Sequence, residues 1–256
     1  MLKKRIIPAM DIENGSVVKC VRFENPRFIG DPVSLGVQYA NDGADELIYL
    51  DISATRENRN AMLGWIEDAA RALYIPFCVV GGIRSLEDIR DILRAGADKV
   101  GLNSAAVQRP QLIAEAAQEF GSQCIVVAVD TKCEKNGWQV YTHSGKQPTG
   151  LDALAWVREA ERLGAGEIVH TSIDADGTRS GYDLAFLSLA NAALRIPVIA
   201  SGGAGSLAHV YDAFNEVDAD GALVASIVHD GDYSIQQIKQ YLAERGIPVR
   251  LPRQAT

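Results

Sequence analysis

Residues 196–210, IPVIASGGAGSLAHV, have a counterpart 121 positions earlier, IPFCVVGGIRSLEDI at 75–89. Ile75-Pro76, Gly81-Gly82 and Ser85-Leu86 recur as Ile196-Pro197, Gly202-Gly203 and Ser206-Leu207. Upstream, DGADELIYLDISAT (42–55) answers LGAGEIVHTSIDAD (163–176), and RIIPAMDIENG (5–15) answers CIVVAVDTKCEKNG (124–137). Downstream, AGADKVGLNSAA (95–106) answers VDADGALVASIV (217–228). Several matches in the same order, at spacings close to 121, make the chain two similar halves, approximately 1–122 and 123–256, of one domain.

Each half reads as strand then helix, four times over. Nearly continuous apolar runs, as in a parallel sheet covered on its outer face, predict strands near 5–11, 46–52, 76–82, 98–103, 124–130, 166–173, 197–202 and 220–226. Helical patterns lie between them. In SLEDIRDILRAGA (85–97), Leu86, Ile89, Ile92 and Leu93 share a face and Ser85 with Asp88 forms a capping box. RPQLIAEAAQEFG (109–121) starts with Pro110 in its first turn and ends at Gly121, and SIQQIKQYLAERG (234–246) follows the same plan. Eight such units predict an α/β fold, a (β/α)8 TIM barrel with a two-fold half-barrel repeat. A doubly wound open sheet is the rival, but a repeat of four units closes more naturally into a ring.

Chemistry in such barrels sits at the C-terminal strand ends. Here those positions hold Asp11, Asp51, Gly81-Gly82, Asn103-Ser104, Asp130, Asp174-Asp176-Gly177, Gly202-Gly203 and Ala225-Ser226. The paired glycines either permit tight strand-to-helix turns or let a ligand approach bare backbone N–H groups. Their symmetric placement favours two anion sites, with the helix starts at Ser85 and Ser206 adding positive dipole ends. A ligand with a phosphate at each end suits that pattern. Asp11 and Asp130 act as general acid and base on such a ligand, or cap loops and pair with a nearby lysine. Lys19, in the loop after the first strand, reaches a phosphate or is simply solvated.

A net charge of −8 argues against nucleic acid or an anionic membrane as the main partner. No apolar run reaches membrane-spanning length, and the apolar run after MLKKR is too short for a signal peptide, so a cytoplasmic protein is expected. Four scattered cysteines (Cys20, Cys78, Cys124, Cys133) point to reduced thiols. The four histidines are not spaced as a metal site, and no cofactor is expected.

The stretches RIIPAMDIENGSVVKCVRF, GADELIYLDISAT, GADKVGLNSAAV, FGSQCIVVAVDTK, TSIDADGTRSGYDL and IASGGAG together resemble the cyclase subunits of imidazole glycerol phosphate synthase, of histidine biosynthesis. The resemblance runs over nearly the whole length. It implies a lyase that joins ammonia to a bisphosphate ribulosyl aminoimidazole carboxamide ribonucleotide and splits the product. Imidazole glycerol phosphate and aminoimidazole carboxamide ribonucleotide result. By that resemblance Asp130 and Asp11 are the acid/base pair. Gly82, Asn103 and Ser104 hold one phosphate, and Gly177, Gly203, Ala225 and Ser226 the other. Lys19 closes over the substrate on a mobile loop, while Asp51, Thr171, Asp176 and Ser201 line the pocket. Arg5, Glu46, Lys99 and Glu167, near the N-terminal strand ends, match the family's charged ammonia gate; in isolation they read as ordinary ion pairs. Asp98 and Gln123 at that end face a separate glutaminase chain, the partner in a heterodimer. No cysteine here sits in a nucleophile elbow that would make the chain its own glutaminase.

Some positions depart from the family. Val80 stands where Gly or Ala is usual and is expected to narrow the mouth near one phosphate. Cys20 replaces a usual Gly and stiffens the loop beside Lys19, and His170 replaces an aliphatic residue and packs outward. His143 follows CEKNGWQVY, read as a hairpin turning at Asn136-Gly137. The sister isomerase of the pathway shares barrel, repeat and paired aspartates, but needs no gate. NSAAV, SQCIVVAVD and the charged quartet favour the cyclase. A catalytically silent docking barrel would not need Asp11, Asp130 and both anion sites.

Overall fold

The computed structural model of this protein describes residues 2–21, 24–52 and 63–251, except the side chains of 20, 21 and 24–26. The expectation for Cys20 lies outside the described residues. Among the described residues twelve strands form one sheet: β1 (Arg5–Glu13), β2 (Ser16–Val21), β3 (Glu24–Gly30), β4 (Leu47–Asp51), β5 (Phe77–Val80), β6 (Lys99–Leu102), β7 (Ile125–Glu134), β8 (Gly137–Thr142), β9 (Gln147–Asp152), β10 (Glu167–Ser172), β11 (Val198–Ser201) and β12 (Gly221–Val224). Eight of them run parallel in the order β1, β4, β5, β6, β7, β10, β11, β12, and β12 pairs back onto β1 through Arg5↔Gly221 to Pro8↔Val224. The ring is closed, which sets aside the open sheet.

The period of two along each strand sorts residues between two layers. Ile7 and Ala9, Ile48, Cys78 and Val80, Val126 and Ala128, Val169, Ile199 and Leu223 fill the barrel interior. Their neighbours in sequence, such as Ile6, Leu47, Val79, Val127 and Ile168, pack outward against the helices. Those helices are α1 (Pro32–Asn41), α2 (Leu63–Ala72), α3 (Leu86–Arg94), α4 (Ser104–Gln108), α5 (Gln111–Phe120), α6 (Ala153–Leu163), α7 (Leu184–Ala193), α8 (Leu207–Asn215), α9 (Ser226–His229) and α10 (Ile235–Ala243). Reciprocal capping boxes open α3 (Ser85 with Asp88) and α10 (Ser234 with Gln237). His170 faces outward from β10: it is fully buried, stacked on Phe186 of α7 at 4.2 Å, with Nε2 2.8 Å from the Thr131 hydroxyl.

After its first barrel strand each half makes an antiparallel excursion, β2–β3 in one and β8–β9 in the other. Two expectations are corrected here. Lys19 is not in a loop; it lies in β2, opposite Arg27 of β3, because Asn14-Gly15, both at positive φ (51° and 78°), turn the chain straight back. The second hairpin turns one residue earlier than Asn136-Gly137. Glu134 pairs with Gly137, so Lys135-Asn136 form the turn. That register sets Thr131 opposite Val140, both buried, and a one-residue slip would expose them.

Candidate active site

The inward rows end differently at the two rims. On β1 the row runs Arg5, Ile7, Ala9, Asp11, so a cation stands at the bottom and a carboxylate at the top of one face. At the top, a cavity of about 240 Å³ is lined by Asp11, Lys19, Asp51, Gly82, Asn103, Ser104, Asp130, Thr171, Asp176, Gly177, Ser201, Gly203, Ala225 and Ser226. One mouth thus gathers every substrate-site residue named from the sequence. Asp11 and Asp130 sit on β1 and β7, four strands apart either way round the ring, and so face each other across it.

Burial is the main electrostatic fact of this cavity. It lifts Asp11 to about 6, against the pull of Lys19, whose Nζ lies 4.0 Å away, and with Asp176 adding repulsion. It lifts Asp130 to about 6 as well; the amide of Asn103, donating to Oδ2 at 3.0 Å, works against the rise, and Asp176 adds to it. Asp176 is itself raised by burial, with Lys19 and the Gly177 N–H opposing. Two carboxyls that change charge near neutrality can exchange protons with a ligand held between them.

The paired glycines are required by the backbone. Gly81 and Gly203 have φ of 101° and 103°, and a Cβ there would lie 2.3 Å from the Asp51 carbonyl oxygen and 2.0 Å from that of Gly181. The tight-turn reading therefore holds in its own right, and the same bends bring bare peptide groups to the cavity wall. The expected contribution of Ser85 and Ser206 needs correcting. Their hydroxyls accept from the N–H groups of Asp88 and His209 in their own helices, and neither residue lines the cavity. The helix starts that reach it belong to α4 and α9. Their N-cap residues, Asn103 and Ala225, share an unusual backbone (φ −126° and −133°, ψ −97° and −84°), and neither side chain caps the helix. First-turn N–H groups without a side-chain cap suit an anion.

The cavity wall also includes Arg84, Gln108, His143, Ser144 and Arg179, none of which the sequence marked as a site residue. His143 and Ser144 hold left-handed backbone (φ 54° and 56°), and the His143 N–H donates to Ser104 Oγ at 3.0 Å. Arg179 bonds Asp230 at 2.5 Å and Asp232 at 2.8 Å, while Arg27 of β3 bonds the other oxygen of Asp230. Positive φ at a non-glycine residue was the signal available only in three dimensions. Val80 points into the mouth and Gly101 on the next strand makes room for it: a Cβ on Gly101 would fall 2.4 Å from Val80 Cγ2.

At the opposite rim Arg5, Glu46, Lys99 and Glu167 close a ring of alternating charge. Arg5 donates to Glu46 at 2.8 Å and to Glu167 at 2.6 Å, and Lys99 meets the same carboxylates at 2.8 Å and 3.3 Å. Burial works against charge on both cations, but the facing Glu167 and Glu46 outweigh it and hold both above their ordinary values. Asp98 and Gln123 are exposed; Asp98 Oδ2 also accepts the Phe77 N–H at 3.0 Å, and the Gln123 amide donates to the Phe120 carbonyl at 3.2 Å. No cluster of His, Cys, Asp or Glu among the described residues could hold a metal ion.

Residues 5–234 match the family described as histidine biosynthesis protein. Three close relatives come from strains of Dehalococcoides mccartyi. Those of strains BAV1 and CBDB1 are 56% identical to this chain, and that of strain 195 is 55% identical. Each alignment spans 251 residues, 98% of this chain and 99% of the relative. All three carry the name imidazole glycerol phosphate synthase subunit HisF.

Proposed function

This chain belongs to the histidine biosynthesis protein family, where it groups with the HisF subunits of imidazole glycerol phosphate synthase, and on that footing we propose how its barrel works. It is an enzyme with the cyclase role in histidine biosynthesis. The ribulosyl aminoimidazole carboxamide ribonucleotide lies across the mouth. One phosphate meets Gly82, Asn103 and Ser104, the other Gly177, Gly203, Ala225 and Ser226. Lys19 covers it, and Asp51, Thr171, Asp176 and Ser201 line its middle. Ammonia attacks the ketone; Asp130 supplies and removes protons during imine formation, and Asp11 does so during ring closure and cleavage. The observation that carries this reading is a pair of opposed carboxyls, both lifted to about 6, between two matching helix starts.

The name of its relatives makes the chain one subunit of a larger enzyme. We take the missing part to be a glutaminase that docks on the rim bearing Asp98 and Gln123, forms a heterodimer and delivers ammonia through the ring of Arg5, Glu46, Lys99 and Glu167. The interior row above that ring is apolar apart from Cys78, which suits a small neutral molecule. Free thiols at Cys78, Cys124 and Cys133 go with a reducing, cytoplasmic setting.

The test is turnover of the ribulosyl substrate by the isolated chain. Ammonium salts should sustain it, and glutamine should do so only once a glutaminase is added. Rearrangement of the isomerase's substrate without ammonia, or no turnover with either nitrogen source, would reject the reading.

A further inference from the structure

Helix α9 has four residues, too few to hold its own shape, yet its first residue Ser226 forms part of the cavity wall. Something outside the helix must fix it. The fourth residue, His229, turns inward and lies largely buried between β1 and α1. Its Nε2 is 3.0 Å from the carbonyl oxygen of Ala9, and its Nδ1 is 2.6 Å from the Tyr39 hydroxyl of α1. A carbonyl can only accept, so Nε2 carries the proton and Nδ1 accepts from Tyr39. Burial holds the imidazole down at about 4 and the phenol up at about 12, which keeps both neutral in these roles.

Ala9 is no arbitrary anchor. The ladder between β1 and β12 stops at Pro8↔Val224, so the imidazole adds a further tie to β1 just above the last rung. Ala9 also stands two residues before Asp11 on the same inward row. The other half is braced differently: there Ser104 Oγ receives the His143 N–H, and Gln108 closes the short helix.

We propose that His229 and Tyr39 are positioning residues that tie the phosphate-facing helix α9 to the strand carrying Asp11. This rests on the reading of the cavity given above. Loosening the tie lets Ser226 drift from the geometry an oxyanion needs, which weakens binding at that end before it weakens the chemistry.

The experiment compares wild type with Tyr39→Phe, His229→Ala, His229→Gln, the double variant Tyr39→Phe/His229→Ala, and His170→Leu as a buried histidine outside the site. Three quantities are read: KM and kcat with ammonium salts, inorganic phosphate affinity from the Ser226 amide shift, and Tm. His229→Ala should raise KM and the phosphate Kd about tenfold, with kcat changed less than about threefold. Tyr39→Phe should do so about threefold, and the double variant no more than His229→Ala alone. His229→Gln, which keeps an N–H for Ala9, should recover most of the loss, while His170→Leu lowers Tm and leaves KM alone. If His229→Ala and Tyr39→Phe lower Tm but leave KM and phosphate affinity at wild-type values, the couple is structural only and the proposal fails. Should His229→Ala not fold, Tyr39→Phe and His229→Gln decide the matter on the same readouts. Absence of wild-type turnover would instead reject the cyclase reading, and the phosphate titration would still judge the couple.

Discussion

Asp130 is 7% exposed, accepts a hydrogen bond from the Asn103 amide, and is lifted by burial from its ordinary 3.8 to about 6. The folded chain therefore binds more protons than the unfolded chain between about pH 4 and pH 6, and this carboxyl's contribution to stability falls as pH rises through that window. At neutral pH its charge costs about 3 kcal/mol. Asp130→Asn removes that cost while it can still accept from Asn103. The variant should melt higher than wild type at pH 8, by several degrees, and lose the advantage near pH 4; its ammonium-driven turnover should be abolished. An equal gain at both pH values, or near-normal turnover, would remove the electrostatic account of this residue. Asp11 and Asp130 were legible in the sequence because each closes an apolar run, which fixes both the rim and the face. His229, Arg179 and His143 were not, because a short helix and tertiary turns bring them in, and neither leaves a periodic trace.

At the level of elements, the barrel strands fall within two residues of their expected ends, except β7, which runs on to Glu134 in its hairpin. Both hairpins carry an Asn-Gly pair, and only Asn14-Gly15 forms the turn itself; at the second, the burial of Thr131 and Val140 overrides the local preference. The first hairpin carries Lys19 to 4.0 Å from Asp11, and on the proposed reading that places it for substrate. With φ at 78°, Gly15→Ala forces an L-residue into left-handed backbone, at about 1 kcal/mol. The expected result is a Tm a few degrees lower and a KM several-fold higher, with kcat less affected. Substrate kinetics decide it: a lowered Tm with unchanged KM would mean that the hairpin does not place Lys19 for substrate.

On the scale of the whole molecule the two halves are joined twice, β6 to β7 and β12 to β1, so neither can leave without opening the ring. We expect one cooperative unfolding transition, the behaviour of a single domain. The charge ring spans both halves as well, drawing Arg5, Glu46 and Lys99 from one and Glu167 from the other. The repeat made Glu46 and Glu167 visible as equivalents 121 apart; that they share both cations depends on closure and could not be read along the chain. Arg5→Ala leaves two buried carboxylates with one lysine between them, which should cost about 3 kcal/mol in denaturant unfolding. Adding Glu46→Gln removes one carboxylate, leaves Lys99 balanced against Glu167, and should return part of that stability. Ammonia in bulk solution can enter from the open mouth, so turnover with ammonium salts should survive Arg5→Ala. On the proposed reading, in which the ring is the passage on that side, turnover fed by glutamine and an added glutaminase should fall. If both routes fall in proportion, the ring acts through the fold alone and the gating role is lost.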